Sequence, residues 1–354
     1  MDVRRIAAHK VLVEGWSVSE AAREFGLSRP TVRTWVGRAQ DTGFAGLSER
    51  SRRPHRLSRA TGAELVDKVL EAKARRPTWG AKKIVASLWP EDPPVCVRTV
   101  DRILKREGLV KPRGALGETH RFEREKCNEL WQMDFKGLGS PRLGYSPLSV
   151  LDDHSRYCLA FEPVGAHSVS EVWPVLWSLF GRCGLPDAVL TDNEPLFHTS
   201  HGYGPSPIEA RLWLLGVRTA HCRVAHPQTQ GKVERFHRTV QCELGTSLRQ
   251  ASMALARPLY RSFVEQYNWE RPHEALELRV PGAVYFASGR SRPSQMPVHR
   301  PLGQARKVDC AGKFRFRSRS YKAGCGLTGE YVDVRGEEVF YAGRMIGSLV
   351  QLAV

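Results

Sequence analysis

Along residues 62–110 apolar side chains recur three and four positions apart, in GAELVDKVLEAKARR, in TWGAKKIVASLW from Thr78 and in VRTVDRILKREGLV. That period predicts three amphipathic helices. Upstream, SVSEAAREFGLSRPTVRTWVGRA (17–39) places Ser17 three residues before Glu20, breaks at Gly26 and restarts at Ser28 and Pro30. These are helix-start signals, so the pattern predicts two short helices with a tight turn between them. In the second of these, Val32, Trp35 and Val36 share a face and leave Arg29, Arg33 and Arg38 to point elsewhere. Both segments read as helix-turn-helix units; a small helical bundle with a solvated basic face is the plainer alternative for the first.

Between 127 and 245 the period changes to two. In CNELWQMDFKG, Trp131, Met133 and Phe135 alternate with Leu130, Gln132 and Asp134, predicting a strand with Asp134 on the face away from the aromatic rings. LSVLDD and YCLAFEPV read as two more strands, joined through HSR. Ser168 and Glu171 mark the start of a helix running to about Arg182. DAVLTDN is a short strand delivering Asp192 at its carboxyl end, SPIEARLWLLG a helix opened by Ser206, Pro207 and Glu209, and VRTAHCR a strand. HPQTQGKVERFHRT (226–239) leads into a helix on which Val233, Phe236, Val240 and Leu244 face inward, with Glu234, Arg238 and Gln241 on a neighbouring face and Lys232 and Arg235 at its flanks. The order is β-β-β-α-β-α-β-α, an α/β core with a mixed five-stranded sheet.

A helical tail follows, then short alternating segments: KFRFRSRSY, EYVDVRG, EEVFYAG and RMIGSLVQL. They predict a small C-terminal β-barrel, with Lys313, Arg315, Arg317 and Arg319 as a stripe of cations along one face of a strand, suited to phosphates. The expected organisation is multidomain: helix-turn-helix at 1–48, basic linker 49–60, a second helix-turn-helix at 61–111, linker 112–126, core 127–250, helical tail 251–289, linker 290–306 and barrel 307–354.

Charge alters this picture. The 354 residues carry 54 Lys plus Arg against 37 Asp plus Glu, a formal net charge of +17, which favours a polyanionic partner. Counted by segment, residues 1–120 hold 24 basic and 14 acidic residues, and residues 291–354 hold 11 and 5. The two ends therefore carry the excess and the middle is nearly neutral, as expected of DNA-gripping ends around a middle with another task. ERSRRPHRLSR (49–59), which includes Arg52 and Arg53, reads either as an arm along DNA or as a solvated linker. No apolar run reaches the ~20 residues of a membrane span, and none at the N-terminus is of signal-peptide kind, so the protein is expected to be soluble and intracellular. The eight cysteines are scattered without a C-x-x-C pair, and are expected to be reduced and mostly buried. His198 and His201, in HTSH, fit an ordinary loop better than a metal pair.

Three acids stand out by placement: Asp134 within a strand, Asp192 at a strand end, and Glu234 on a late helix. Carboxylates converging from distant parts of a sheet repel one another unless cations lie between them, and two Mg2+ or Mn2+ ions about 3.5–4 Å apart would meet that need in phosphoryl transfer. Lys232, Arg235 and Arg238 would then hold DNA by its phosphates beside Glu234.

WQMDFKG, VLDDHSR, VLTDN, HPQTQGKVERFHRT and YNWERPHEAL together resemble the successive blocks of a DDE transposase of the bacterial insertion-sequence type, whose core is similar to the retroviral integrase domain. The likeness spans roughly residues 1–290; the C-terminal module is a weaker match to the integrase barrel, of SH3-like form. The resemblance implies an RNase H-like core with Asp134, Asp192 and Glu234 as metal-binding catalytic residues, and Lys232 at a contact to the transposon end. The interval from Asp192 to Glu234 is longer than the family's commonest, and HTSHGYGPSP takes up the excess, as a loop that could reshape the rim of the site. Retroviral integrases' zinc-binding N-terminal module is absent, leaving end recognition to the helix-turn-helix units.

Asp152 could tune the metal site but fits a structural hydrogen-bonding role better, and His226 and His237 could aid catalysis but fit contacts to DNA or neighbouring side chains better. The resulting expectation is a transposase, at least dimeric in its working complex, that binds double-stranded DNA at terminal inverted repeats, cleaves, and joins a 3′-OH to target DNA. The alternatives are a nuclease of the same fold that cuts without joining, and a transposase-derived regulator that only binds.

Overall fold

Capping decides where the first helices begin. In the computed structural model the Ser17 hydroxyl accepts from the Glu20 N–H and the Glu20 carboxylate accepts from the Ser17 N–H, closing the reciprocal box predicted for α2 (Val18–Glu24). Ser28 caps α3 (Arg29–Thr42), with Pro30 in its first turn. With α1 (Val3–Leu12) these helices bury Ala21, Ala22, Val32 and Val36 in one small core, and Ala8, Ala39 and Leu47 in another that Trp35 borders. The structure describes residues 2–48, 61–110, 123–137, 144–199, 204–221 and 231–353. They form two compact units, Met1–Gly62 and Ala63–Val354.

The second unit opens with α4 (Ala63–Arg75), α5 (Ala81–Leu88) and α6 (Val97–Arg106). Their periodic apolar positions meet as predicted, with Val69, Ile84, Val85, Val100, Ile103 and Leu104 packed around Trp79.

The central sheet has β1 (Trp131–Phe135), β2 (Ser146–Asp152), β3 (Cys158–Val164), β4 (Ala188–Thr191) and β5 (Arg218–His221) in the order β3-β2-β1-β4-β5. β1, β2 and β3 pair antiparallel, whereas β4 joins β1 and β5 joins β4 in parallel. One face packs Trp131, Met133 and Val150 against α7 (Val169–Cys183) and α8 (Pro207–Leu214). The other packs Leu151 and Phe161 against α9 (Gly231–Gln250) and α10 (Met253–Trp269). Val233, Phe236 and Val240 of α9 lie in that second core, on the face their spacing predicts.

Three expectations are corrected. At α7 the box of Ser168 and Glu171 does not form: Ser168 bonds to Ser170, and the Glu171 carboxylate accepts from the Gly165 N–H instead. Among the described cysteines, Cys96, Cys242, Cys310 and Cys325 are exposed; they sit in turns, at a helix cap or on the outward side of α9, where period rather than polarity sets burial. The third correction concerns the C-terminal module. Among the described residues there is no closed barrel, but a sheet ordered β11-β10-β9-β6 and a separate hairpin β7-β8, where β6 is Gln304–Lys307, β7 Lys313–Phe316, β8 Arg319–Lys322, β9 Tyr331–Arg335, β10 Glu338–Tyr341 and β11 Arg344–Ser348. Both sheets share one core that includes Phe314, Tyr321, Val332, Val334 and Val339.

The cation stripe breaks for the same reason. Arg317 and Ser318 both take positive φ, 48° and 60°, the backbone of a two-residue hairpin turn, so KFRFRSRS is two strands. Lys313 and Arg315 stay on one face with Lys322 opposite Lys313, Phe314 and Phe316 fill the core side, Arg317 sits in the turn over the Phe316 ring, and Arg319 lies opposite Phe316.

This module seats on the core. α8 contributes Ala210, Trp213 and Leu214 to its apolar cluster. Gly204 (φ +66°) comes so close to the Ala323 carbonyl oxygen that a Cβ there would stand 1.7 Å from it. The end of the HTSHGYGPSP insertion is therefore a docking surface for the C-terminal module; residues 200–203 within it lie outside the described residues.

Candidate active site

Asp134 sits one residue from the end of β1, opposite Ser149 of β2. On its other side β1 runs parallel to β4 with Gln132 level with Leu190. β4 ends at Thr191, so Asp192 leaves the sheet next to the end of β1 that carries Asp134. Asp192 folds back into a local turn by accepting the Glu194 N–H at 3.2 Å.

The field at this face is negative. Burial pushes the Asp134 carboxyl up to about 7, and Asp192, then Glu194 and Glu234, add to the shift against one backbone hydrogen bond from Phe135. A carboxyl pushed up mainly by burial, with neighbouring carboxylates adding to the shift, lies where positive charge would be welcome. The donors are all carboxylate oxygens, the ligand chemistry that Mg2+ and Mn2+ prefer. Among the described residues no group of three or more His, Cys, Asp or Glu side chains is arranged to hold an ion.

Around this face stand His237, expected in contacts to DNA or neighbouring side chains, and two residues that sequence patterning did not assign, Glu194 and His167. His237, one turn after Glu234, has Nδ1 3.8 Å from Asp134 Oδ2 and Nε2 2.8 Å from Ser149 Oγ. Burial, with Lys136 nearby, pushes its imidazole down to about 3, so it stands beside Asp134 as a neutral ring. Glu194 pairs with His167, whose ring stacks on Phe135 with centroids 3.8 Å apart. The TDNEP sequence held the signal for Glu194, an acid two residues after a candidate acid at a strand end. Nothing local to the sequence pointed to His167.

Lys232 is placed differently from expectation. Its ammonium is ion-paired with Asp153, a residue with 0% exposure. Asp153 also accepts from Gln132 Nε2 at 2.7 Å and from the Arg124 N–H at 2.8 Å, while Gln132 Oε1 faces the Val233 N–H at 3.4 Å. The start of α9 is thus tied to β1 and to the end of β2, which sets the height of Glu234 above the sheet. Asp152 accepts from the Asn128 N–H at 2.7 Å and from both Ser155 groups, consistent with the structural role expected of it.

Of the other candidates, Glu234, Arg235 and Arg238 are exposed along α9, and Arg29 and Arg33 are exposed on α3. Arg38 is not open to a ligand in the same way: its guanidinium donates to the Gly46 and Ser48 carbonyls at 2.6 and 3.0 Å. There it ties down the turn after α3, a use of Arg that helical spacing does not reveal. Arg52, Arg53 and His226 lie outside the described residues.

Comparison with known proteins adds three family matches: an integrase core domain over residues 215–281, a homeodomain-like domain over 31–104 and a helix-turn-helix domain over 4–55. The integrase match includes Glu234 but neither Asp134 nor Asp192. Among curated proteins, an insertion element IS407 uncharacterized protein of Burkholderia multivorans is 25% identical over 66% of this chain and 84% of its own length. The Gag-Pol polyprotein of baboon endogenous virus is 33% identical over 31% of this chain, and the Pol polyprotein of a radiation murine leukemia virus 29% identical over 37%. The chain spans only 6% and 23% of those two polyproteins. Among solved structures, the HTLV-2 integrase catalytic core in complex with magnesium aligns over 46% of this chain and 99% of its own at 13% identity, TM-score 0.37. A simian T-cell lymphotropic virus integrase complex aligns over 78% and 91% at 14% identity, TM-score 0.40.

Proposed function

We propose, for a chain of the insertion-sequence transposase type with an integrase-like core and helix-turn-helix DNA-binding domains, that it binds the terminal inverted repeats of its element, cleaves a strand at each end and transfers the freed 3′-OH into target DNA. The observation that carries this reading is that Asp134 near the end of β1 and Asp192 one residue past the end of its parallel neighbour β4 lie, with Glu234, close enough for both acids to act on the Asp134 carboxyl. Three acids drawn from β1, the end of β4 and α9 are costly to fold together. Their convergence is most economically explained by a cation that joins them during the reaction.

Asp134, Asp192 and Glu234 would hold Mg2+ or Mn2+ on this reading. Bound there, two such ions would polarise the phosphate under attack and favour both the entering and the leaving oxygen. The chain's own part is positional. Gln132 and Asp153 fix the first turn of α9, Ser149 and the neutral His237 border Asp134, and Arg235 and Arg238 offer charge for phosphates alongside Glu234. Arg29 and Arg33 on α3 would enter a major groove, as a recognition helix does. Joining two DNA ends requires at least two copies of the chain in the working complex.

The test pairs wild-type protein with Asp134→Asn on labelled linear DNA carrying the element's ends, with Mg2+ or Mn2+. The transposase reading expects metal-dependent 3′-end nicks from the wild type, and from the variant unchanged DNA binding without nicks. A protein that binds equally well in both forms and nicks in neither, under conditions where paired complexes assemble, would instead be a DNA-binding regulator.

A further inference from the structure

Both ends of the loop that carries Asp192 meet one side chain, His221. β4 ends at Thr191, and the sheet register sets Thr191 level with His221 of β5. The Thr191 hydroxyl lies 3.0 Å from His221 Nδ1. At the far end of the loop the His198 ring stands 4.5 Å from the His221 ring, centroid to centroid. Between these two points Asp192 accepts from the Glu194 N–H at 3.2 Å, and the Glu194 carbonyl accepts from the Phe197 and His198 N–H groups at 2.8 and 2.9 Å. The loop is a closed turn with His221 as the post at its base.

The post is itself held from behind. His221 Nε2 donates to Glu209 Oε1 at 2.8 Å. The same oxygen accepts from the Thr219 hydroxyl at 3.0 Å, which accepts from Trp213 Nε1 at 3.0 Å, and the other carboxylate oxygen accepts from the Ser206 N–H at 2.8 Å. Glu209 is only 7% exposed and lies in the capped first turn of α8. The C-terminal module closes over that turn, since a Cβ on Gly326 would stand 2.1 Å from the Pro205 carbonyl oxygen. With the Nε2 proton committed to Glu209, a neutral ring presents Nδ1 as the acceptor for the Thr191 hydroxyl, and the tautomer fixes the orientation of the ring.

We propose that His221 is a positioning residue for the candidate active site: by holding Thr191 and His198 it sets where Asp192 stands when a divalent cation binds. This rests on the transposase reading and deepens it. Past Thr191 the sheet ladder no longer holds the chain, so the position of Asp192 depends on what anchors its loop. Ordering a loop at the moment of binding costs conformational entropy, and a carboxylate already held takes up a cation more tightly. In the sequence His221 was legible only as a member of the strand VRTAHCR, because Thr191, His198 and Glu209 come from other parts of the chain and only the fold gathers them around it.

The experiment uses the full chain with Mn2+ itself as the probe, and Asp134→Asn as the blank that lacks the site. Paramagnetic resonance of free Mn2+ gives the affinity of wild type, Thr191→Val, Thr191→Ser and His221→Phe without DNA, and strand transfer from a pre-cut end is followed across a Mn2+ series. Thr191→Val keeps the side-chain shape without the hydroxyl, Thr191→Ser keeps the hydroxyl, and His221→Phe keeps a ring against His198 without either hydrogen bond. The expected result is Mn2+ affinity about 10-fold lower in Thr191→Val and in His221→Phe, a matching rise in the Mn2+ concentration for half-maximal joining, near-wild-type rates at saturating Mn2+, and recovery in Thr191→Ser. Wild-type Mn2+ affinity in Thr191→Val would overturn the assignment, even if His221→Phe failed to fold. Slower joining at every Mn2+ concentration with unchanged affinity would also overturn it, since a general packing defect produces that result. A wild type that binds Mn2+ at the Asp134-dependent site yet joins no DNA would overturn the transposase reading, and the affinities alone would then decide the role of His221. Absence of any Asp134-dependent Mn2+ binding by the wild type would overturn both.

Discussion

Lys232 is paired with Asp153, a carboxylate that has no exposure to solvent, and so it braces the helix carrying Glu234. Removing one member of such a pair leaves a buried charge alone, which costs about 3–5 kcal/mol, whereas removing both costs less. Lys232→Met and Asp153→Asn are each expected to lower the denaturation midpoint markedly, with the double variant recovering part of the loss. Additive losses in chemical denaturation would show that the pair does not act as a unit.

Phe236 anchors the same helix. It is 1% exposed and touches Phe161, Phe263 and Tyr267 with ring centroids 5.0–5.8 Å apart. Phe236→Ala should cost about 3–5 kcal/mol, the usual range for a buried aromatic ring. Thermal and chemical melting read this directly, and a loss well under 1 kcal/mol would place α9 outside the cooperative core.

A pH effect is expected at Glu209. Burial disfavours its charged form, but hydrogen bonds from His221, from the Ser206 N–H and from Thr219, with the charge of His221, outweigh that and hold it below its ordinary value of 4.5. A depressed carboxylate contributes stability that is present above its unfolded value and lost as pH falls through the folded one. Wild type should therefore lose stability relative to Glu209→Gln as pH drops below 4.5. Parallel melting curves across that window would contradict the assignment.

Arg33 and Arg38 lie on the same helix and are expected to behave differently. Arg33 is exposed, and Arg33→Ala should weaken specific DNA binding by about 1–3 kcal/mol with little change in melting. Arg38 holds the turn at Gly46 and Ser48, so Arg38→Ala should lower the melting of the N-terminal unit first. Exchanged outcomes, seen by anisotropy and by circular dichroism, would reverse the two roles.

The order of elements was legible because period and caps are local. Val233, Phe236 and Val240 declared the inward face of α9, and the Ser17–Glu20 and Ser206–Glu209 boxes formed where their spacing placed them. The candidate acids were legible as positions but not as neighbours, since the parallel pairing of β1 with β4 is what brings the end of β4, just before Asp192, beside β1. What the sequence did not show was of two kinds. Lys232, read as a DNA contact, has a protein partner in Asp153, far away in sequence. The stripe from Lys313 to Arg319 is broken by a local turn, since Arg317 and Ser318 take left-handed backbone and fold it into a hairpin. Ser168 and Glu171 show the limit of even a local motif, since Glu171 found the Gly165 N–H instead.

The most direct test of the account is strand transfer from a pre-cut end. Wild-type protein and Glu234→Gln are incubated with a duplex bearing the element's terminal sequence and a free 3′-OH, together with plasmid target and Mg2+ or Mn2+. The account predicts joined products from the wild type only when metal is present, and none from Glu234→Gln although it binds the end equally well. Joining by Glu234→Gln at the wild-type rate would contradict it, because the acid on α9 would then have no part in the chemistry.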